Sequence, residues 1–193
     1  MTWHSFSFGA FYDPARIGFG PLVLCDEHLL GDGQGFSTHA HQGVTIVTVP
    51  TAGAVRHLDS LGNERVISPG QVGVFETAAG ATHSEIAAAS ATRFVQFWLT
   101  SEADEPAYAV EELAGGLTVG PHHLERIVLA AGEAGEVMGG ARRFVFIAAG
   151  SLLRNSLAGP LSQGDAYLID NHDPITVTAA TDVVLLVWAL VER

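Results

Sequence analysis

Short runs of β-forming residues, separated by glycine-rich turns, are the feature that most constrains the fold of this chain. The runs are rich in Val, Ile, Phe and Trp, and Gly, Pro, Asn and Asp stand between them. The clearest runs lie at 44–49, 72–75, 94–99, 144–148 and 183–190. The 22 glycines suit many tight turns and suit long helices poorly. This pattern predicts an all-β protein.

The two halves of the sequence resemble one another weakly. Residues 68–75 parallel residues 162–169, and residues 93–99 parallel residues 183–189. Such a repeat indicates two copies of one β-barrel. The acidic segment between them contains the one stretch with a helical pattern, 101–114. We therefore predict the following organisation: an N-terminal metal-binding domain at 1–100, a linker at 101–117 and a C-terminal domain at 118–193.

Two pairs of strong metal ligands stand at strand spacing in the first half. His39 and His41 form one pair, and His83 and Glu85 form the other. A spacing of two residues directs both side chains of a strand to the same face. Two such strands facing one another across a barrel bring three imidazoles and one carboxylate to a single point. This donor set suits Fe, Mn, Ni, Cu or Zn. The second half has Ile-Thr-Val-Thr at 175–178 where the first has His83 and Glu85, so we expect it to be degenerate, without metal ligands.

Charge and cysteine content narrow the possible partners. The formal net charge is −12, and all 9 cationic residues are arginine. An acidic chain without a basic cluster argues against direct nucleic-acid or membrane binding, and the absence of lysine excludes Schiff-base chemistry and a P-loop. Cys25 is the single cysteine, so no disulfide framework exists. With no transmembrane-like run and no signal-peptide pattern, we expect a cytoplasmic protein.

The first half closely resembles the pirin-like bicupins, and among them the bacterial branch that includes quercetin 2,3-dioxygenases. The resemblance covers most of residues 3–99, in the order and spacing of the family. It implies an all-β fold of two antiparallel β-barrels packed face to face. The matching stretches are 3–8, 12–14, 35–41, 57–63, 69–70, 80–85 and 96–98. The metal ligands of the family carry over to His39, His41, His83 and Glu85.

The ligand set and the resemblance together predict a metal-dependent dioxygenase that uses O₂. A flavonol such as quercetin carries a 3-hydroxyl beside a 4-carbonyl and can chelate the metal through both oxygens. Glu85 is the expected catalytic residue, because it is placed to take the hydroxyl proton. We expect Fe(II) as the metal, with Mn, Ni, Cu or Zn as alternatives, and a small aromatic substrate and O₂ as partners.

Two other functions fit the same ligands. Some pirin-like proteins resemble regulators, in which the oxidation state of bound iron alters the surface offered to a protein partner. Such a sensor requires no organic substrate. A hydrolytic or isomerising cupin using Zn or Mn is the third alternative.

Three departures from the family pattern affect these expectations. Thr45 stands where cupins usually have an acid, which leaves Glu85 as the obvious acid–base group. Gln42 replaces a residue that is often basic in relatives, and we expect it to alter the mouth of the pocket. The chain also begins about twenty residues later than its relatives, so an N-terminal strand that covers a barrel in them is expected to be missing.

Other conspicuous residues receive structural interpretations. We expect His57 to hydrogen-bond Asp59 rather than to bind metal. His122, His123 and His172 are expected to be solvated loop residues. Further predictions concern apolar residues: Cys25 and Phe97 in the core, and Trp98 either in the core or lining a flavonol-sized pocket.

Overall fold

The structure is a computed structural model that describes residues 1–10, 12–139, 142–154 and 159–191. Strands and turns account for all regular structure in these residues, and no helix occurs among them. The predicted all-β class is therefore confirmed. Contacts divide the chain into two compact units, residues 1–112 (unit 1) and residues 113–193 (unit 2).

Unit 1 contains two antiparallel sheets. Its strands are β1 (Thr2–His4), β2 (Leu22–Leu30), β3 (Gly35–His41), β4 (Val44–Ala52), β5 (Val55–Asp59), β6 (Glu64–Ile67), β7 (Gln71–Glu76), β8 (Ala81–Ala87), β9 (Thr92–Thr100) and β10 (Ala107–Glu112). The larger sheet has the order β1-β2-β9-β4-β7-β10, and the smaller has the order β3-β8-β5-β6. Apolar side chains from both sheets pack together, as Val55 and Ile67 do with Phe94.

Unit 2 repeats part of this arrangement. Its strands are β11 (Gly116–Val119), β12 (His122–Leu129), β13 (Ala134–Val137), β14 (Arg142–Ala149), β15 (Ser151–Leu152), β16 (Leu161–Ser162), β17 (Ala166–Ile169), β18 (Ile175–Thr178) and β19 (Val183–Leu190). The order β12-β19-β14-β17 in its main sheet matches β2-β9-β4-β7 in unit 1. The weak sequence repeat thus corresponds to a repeated topology. β18 pairs with β13, and its Ile175 and Val177 are buried in an apolar cluster.

Residues 101–114 form no helix despite their helical pattern. Residues Ala107–Glu112 form β10, which pairs antiparallel with β7 at the edge of the larger sheet. Tyr108 and Val110 point inward and are half-buried, whereas their neighbours along the strand are exposed. This pairing satisfies the backbone and buries two side chains, which outweighs a weak local helical preference. The predicted domain limits, like the packing of two barrels face to face, remain predictions.

Across its described residues, the structure has no helix long and apolar enough to cross a membrane.

Candidate metal centre

Direct strand pairing, rather than the expected approach across a barrel, brings the two predicted ligand motifs together. β3 and β8 are antiparallel neighbours, and His39 lies directly opposite His83 in their register. Side chains alternate between inward and outward along β8, so that His83 and Glu85 are both buried while Ser84 between them is less so. On the other side of β8, His57 of β5 lies opposite Glu85. The centre is thus built on three adjacent strands of the smaller sheet.

The three predicted histidines form a cluster suited to a metal ion. His39, His41 and His83 each offer a ring nitrogen, and these nitrogens lie within 4.8 Å of one another. His39 Nδ1 lies 2.7 Å from the carbonyl oxygen of Ser37, which favours the tautomer with a lone pair on Nε2. His41 Nε2 and both nitrogens of His83 are buried and have no hydrogen-bond partner among the described residues. Buried nitrogens without partners are costly, and a bound cation would satisfy them. The residues therefore fit a metal.

Burial keeps the rings of His41 and His83 neutral. It lowers the pKa of His41 to about 4, and the charge of nearby His39 adds to the effect. Burial also lowers the pKa of His83 far below its usual range, with further contributions from His39 and His57. Neutral rings keep the lone pairs that a metal requires, so the site is ready for a cation at neutral pH.

Glu85 lies beside this cluster rather than at its middle. Its carboxylate falls within 4.8 Å of ligand nitrogens of His57 and His83, in a second possible ligand group. Thr48 Oγ1 donates to Oε1 at 2.7 Å, and Gln96 Nε2 donates to Oε2 at 2.5 Å. Burial raises the pKa of the Glu85 carboxyl, and the two hydrogen bonds oppose that rise. Each carboxylate oxygen has two lone pairs, so both hydrogen bonds leave room for a metal bond.

His57 is the residue whose closeness to the centre the sequence did not predict. Its predicted partner is confirmed, because Nε2 lies 3.2 Å from Asp59 Oδ2. Its ring stacks on Tyr108 with centroids 3.8 Å apart, and it lies 5.3 Å from the ring of His83. His57 and Asp59 are two residues apart, like the residues of each ligand motif. Only the register between β5 and β8, however, places His57 beside Glu85.

Several structural interpretations are confirmed: Cys25 and Phe97 are fully buried, and His172 is exposed outside the strands. The expectation of solvated loop residues is half right for His123, which is exposed but lies in β12, and wrong for His122. His122 is buried rather than solvated, because it begins β12 and its Nδ1 accepts a hydrogen bond from the Val191 backbone at 3.2 Å.

Two departures from the family pattern also have visible consequences. Thr45 donates to Glu76 Oε2 at 2.6 Å in the larger sheet. Gln42, in the turn between β3 and β4, lines a small cavity of about 340 Å³, and His41 lines the same cavity.

A cavity of about 640 Å³ opens onto the cluster. Its volume lies in the range of small-molecule sites, and its walls are mostly apolar. His39, His41 and Glu85 lie on one part of the wall, and Trp98 lies beside them with its ring 4.7 Å from that of His41. Trp98 Nε1 donates to Gln96 Oε1 at 2.8 Å, so the residue that holds Glu85 is itself held. The prediction that Trp98 lines a pocket is confirmed.

The sheets and the centre together describe a β protein with a histidine-rich centre, able to hold a metal ion, at the wall of a cavity. Residues 1–99 match the model of the Pirin family, and the chain belongs to that family. The quercetin 2,3-dioxygenase of Escherichia coli K12 is 36% identical over 103 residues, which cover 52% of this chain and 45% of that protein. The match therefore spans less than half the length of that relative.

Solved structures of a bacterial pirin share the fold across the whole chain. YhhW from Escherichia coli superposes with a TM-score of 0.87 at 26% identity, covering 100% of this chain and 91% of that one. The structure of YhhW in complex with nickel(II) gives a TM-score of 0.85 at 26% identity, covering 100% and 92%.

Proposed function

We propose that this pirin is a metal-dependent dioxygenase that uses O₂ to cleave a flavonol-like substrate of the quercetin type. The observation that carries the proposal is the cluster of unpartnered histidine nitrogens at the wall of a cavity large enough for a multi-ring aromatic molecule. The quercetin 2,3-dioxygenase name of the Escherichia coli relative supports the substrate class.

The proposed ligands are His39, His41, His83 and Glu85, which carry one negative charge in total. We favour Fe(II), while Mn, Ni, Cu or Zn would suit the same donors, and the nickel(II) complex of YhhW shows that a related protein accepts that ion. When bound, the metal would supply a Lewis acid that polarises a substrate oxygen.

The chain's own residues then bind the substrate and move its proton. Trp98 offers a flat apolar surface next to His41, against which an aromatic ring can pack. Glu85 is proposed as the group that accepts the 3-hydroxyl proton, since burial favours its protonated form. Thr48 and Gln96 hold the carboxylate in place during that transfer. The mostly apolar wall limits water around the reacting atoms.

Three wider proposals accompany this function. Partners are a small aromatic substrate and O₂, with no direct contact to nucleic acid. A cytoplasmic location would suit the single, buried Cys25. The bicupin arrangement of two barrels, with the C-terminal one lacking metal ligands, is supported by the strand order that units 1 and 2 share.

The test is the loss of quercetin's visible absorbance in air with metal-reconstituted protein. We expect bleaching that requires O₂, loss of both bleaching and metal binding in His39→Ala, and normal behaviour in His123→Ala, whose exposed ring lies in unit 2. Full metal uptake without bleaching, for every metal tested, would overturn the proposal. Redox-dependent capture of a protein partner would then favour the regulator.

A further inference from the structure

The cavity has a second polar group, formed by β1 and β2, that the proposed chemistry at the metal does not use. His4 lies directly opposite Asp26 in the pairing of these strands, and both line the cavity. His4 Nδ1 and Asp26 Oδ1 lie 2.9 Å apart, a close contact that does not meet hydrogen-bond geometry, and their side chains are 20% and 6% exposed. A buried carboxylate therefore stands behind an imidazole that faces the cavity.

Aromatic rings connect this pair with the metal centre. The ring of His41 lies 4.7 Å from Trp98, and Trp98 meets the edge of Phe8 at 6.1 Å. Phe8 in turn stacks on His4 with centroids 5.5 Å apart. These side chains, His41, Trp98, Phe8 and His4, form a continuous aromatic wall of the cavity. A flat molecule lying along this wall would have one end at the metal centre and the other at His4.

The pairing with Asp26 determines what His4 offers to a ligand. A carboxylate oxygen this close to Nδ1 favours the proton on that nitrogen, which leaves the lone pair on Nε2, where the ring can accept a hydrogen bond. Burial raises the pKa of the Asp26 carboxyl, whereas the closeness of His4 opposes that rise. His28 does not compete for this carboxylate, because its Nδ1 lies 2.9 Å from Thr2 Oγ1. The pair is thus arranged to receive a hydroxyl group.

We infer that His4, positioned by Asp26, accepts a hydrogen bond from a hydroxyl group at the end of the substrate remote from the metal. The inference rests on the proposed function and deepens it. It assigns the cavity to flat, multi-ring phenols with two separated oxygen functions: a chelating pair at one end and a hydroxyl at the other. His4 is then a specificity residue that touches substrate, and Asp26 is a positioning residue.

The test compares two flavonols in the absence of O₂, so that only binding is measured. Quercetin carries hydroxyl groups on its pendant ring and galangin does not, while both keep the 3-hydroxyl and 4-carbonyl. Dissociation constants are measured by absorbance titration of the metal-loaded wild type, His4→Phe and Asp26→Asn. His172→Phe is the matched control, since that histidine is exposed and lies outside the cavity.

We expect the wild type and His172→Phe to prefer quercetin about tenfold, as one well-placed hydrogen bond allows. His4→Phe keeps the aromatic contact with Phe8 and should bind the two flavonols equally, by weakening quercetin alone. Asp26→Asn should reduce the preference in part, and it provides a second variant if His4→Phe loses its metal or its fold. An unchanged preference in either folded variant would overturn the inference and leave the proposed function standing. If the wild type binds neither flavonol, the inference and the proposed function are both overturned.

Discussion

Glu85 has contacts that suit both of its proposed roles, metal ligand and proton acceptor. Its carboxylate accepts hydrogen bonds from Thr48 and Gln96, and it lies within 4.8 Å of a His83 nitrogen. A ligand is held best as the anion, whereas burial favours the protonated acid. The same residue can therefore stabilise a cation and carry a proton, provided that the cation and the two donors balance the cost of burial.

Replacing Glu85 with Gln tests the role as base, provided that wild type and variant are compared at equal metal content. Gln keeps the shape but accepts no proton, so we expect kcat to fall by about 10²-fold or more, as for the loss of a general base. Substrate dissociation constants should change by less than about tenfold. Steady-state kinetics and anaerobic titration measure the two effects, with the exposed Glu111→Gln as control. Equal loss of turnover and substrate binding would remove the role as base.

His28 makes stability depend on pH. Burial lowers its pKa from 6.5 to about 4, and the charges of His4 and the N-terminus contribute. Below pH 6.5 this histidine binds a proton in the unfolded chain but stays neutral in the folded chain. Its contribution to the free energy of unfolding therefore decreases as the pH falls, and the decrease is complete near pH 4. Between about pH 7.5 and about pH 5 its share is about 2 kcal/mol.

His28→Leu tests this pH dependence. Urea unfolding of the metal-free protein at the two pH values gives the free energies of unfolding. Between the two pH values, the wild type should lose about 2 kcal/mol more of its free energy of unfolding than the variant does. Because Asp26 and Glu85 shift in the opposite sense, only this difference isolates His28. Identical pH dependence in both proteins would contradict the assigned shift.

At the scale of the strands, the centre depends on the close approach of β3 to β8. A Cβ on Gly35 would clash with the carbonyl oxygen of Glu85 and lie 2.7 Å from Cα of Ile86. Both are backbone atoms, so they cannot turn aside as a side chain can. The pairing also shifts register between Phe36 and His39, which sets His39 against His83. Glycine at position 35 therefore permits the register that assembles the ligands.

Gly35→Ala should push β3 away from β8. We expect a loss of about 1–3 kcal/mol in the free energy of unfolding, typical of overpacking, and at least a tenfold weaker metal affinity. Gly115→Ala is the control, because a Cβ there meets nothing within 4 Å. Calorimetric metal titration and urea unfolding report the two effects. Wild-type metal affinity in a destabilised Gly35→Ala would show that the register does not control the ligands.

The sequence predicted those strands whose own residues strongly favour the β conformation. The β-branched and aromatic runs at 44–49, 94–99 and 183–190 fall within β4, β9 and β19, which lie inside the main sheets. β10 was missed because its Ala and Glu residues carry no strand signal, and its conformation depends on pairing with β7. Strand propensity reflects such neighbours more than the local sequence.

The same distinction applies to the site. The spacing within each motif predicts that His39 and His41, or His83 and Glu85, share a face, because that is a local property. The position of His57 opposite Glu85, and the contact of Gln96 and Thr48 with its carboxylate, depend on registers between strands distant in sequence. The pairing of His4 with Asp26 likewise required the β1–β2 register.

At the scale of the whole molecule, one topology serves two different halves. Unit 1 holds both groups of potential ligands that the described residues form, whereas unit 2 has Ile175 and Val177 buried in an apolar cluster on β18. Apolar packing of this kind stabilises a sheet without binding a ligand. A shared strand order with different buried side chains shows how one scaffold can carry chemistry in one copy and core packing in another.

The central claim is that the metal-loaded protein inserts O₂ into a flavonol and opens its central ring. The most direct test follows quercetin consumption, O₂ uptake and carbon monoxide release together, using protein reconstituted with one metal at a time. The account predicts a ratio of about one to one to one, because ring opening by a single O₂ expels one ring carbon as carbon monoxide, consistent with metal-assisted oxygenation. O₂ uptake without carbon monoxide, or fully loaded protein that consumes neither substrate, would contradict it.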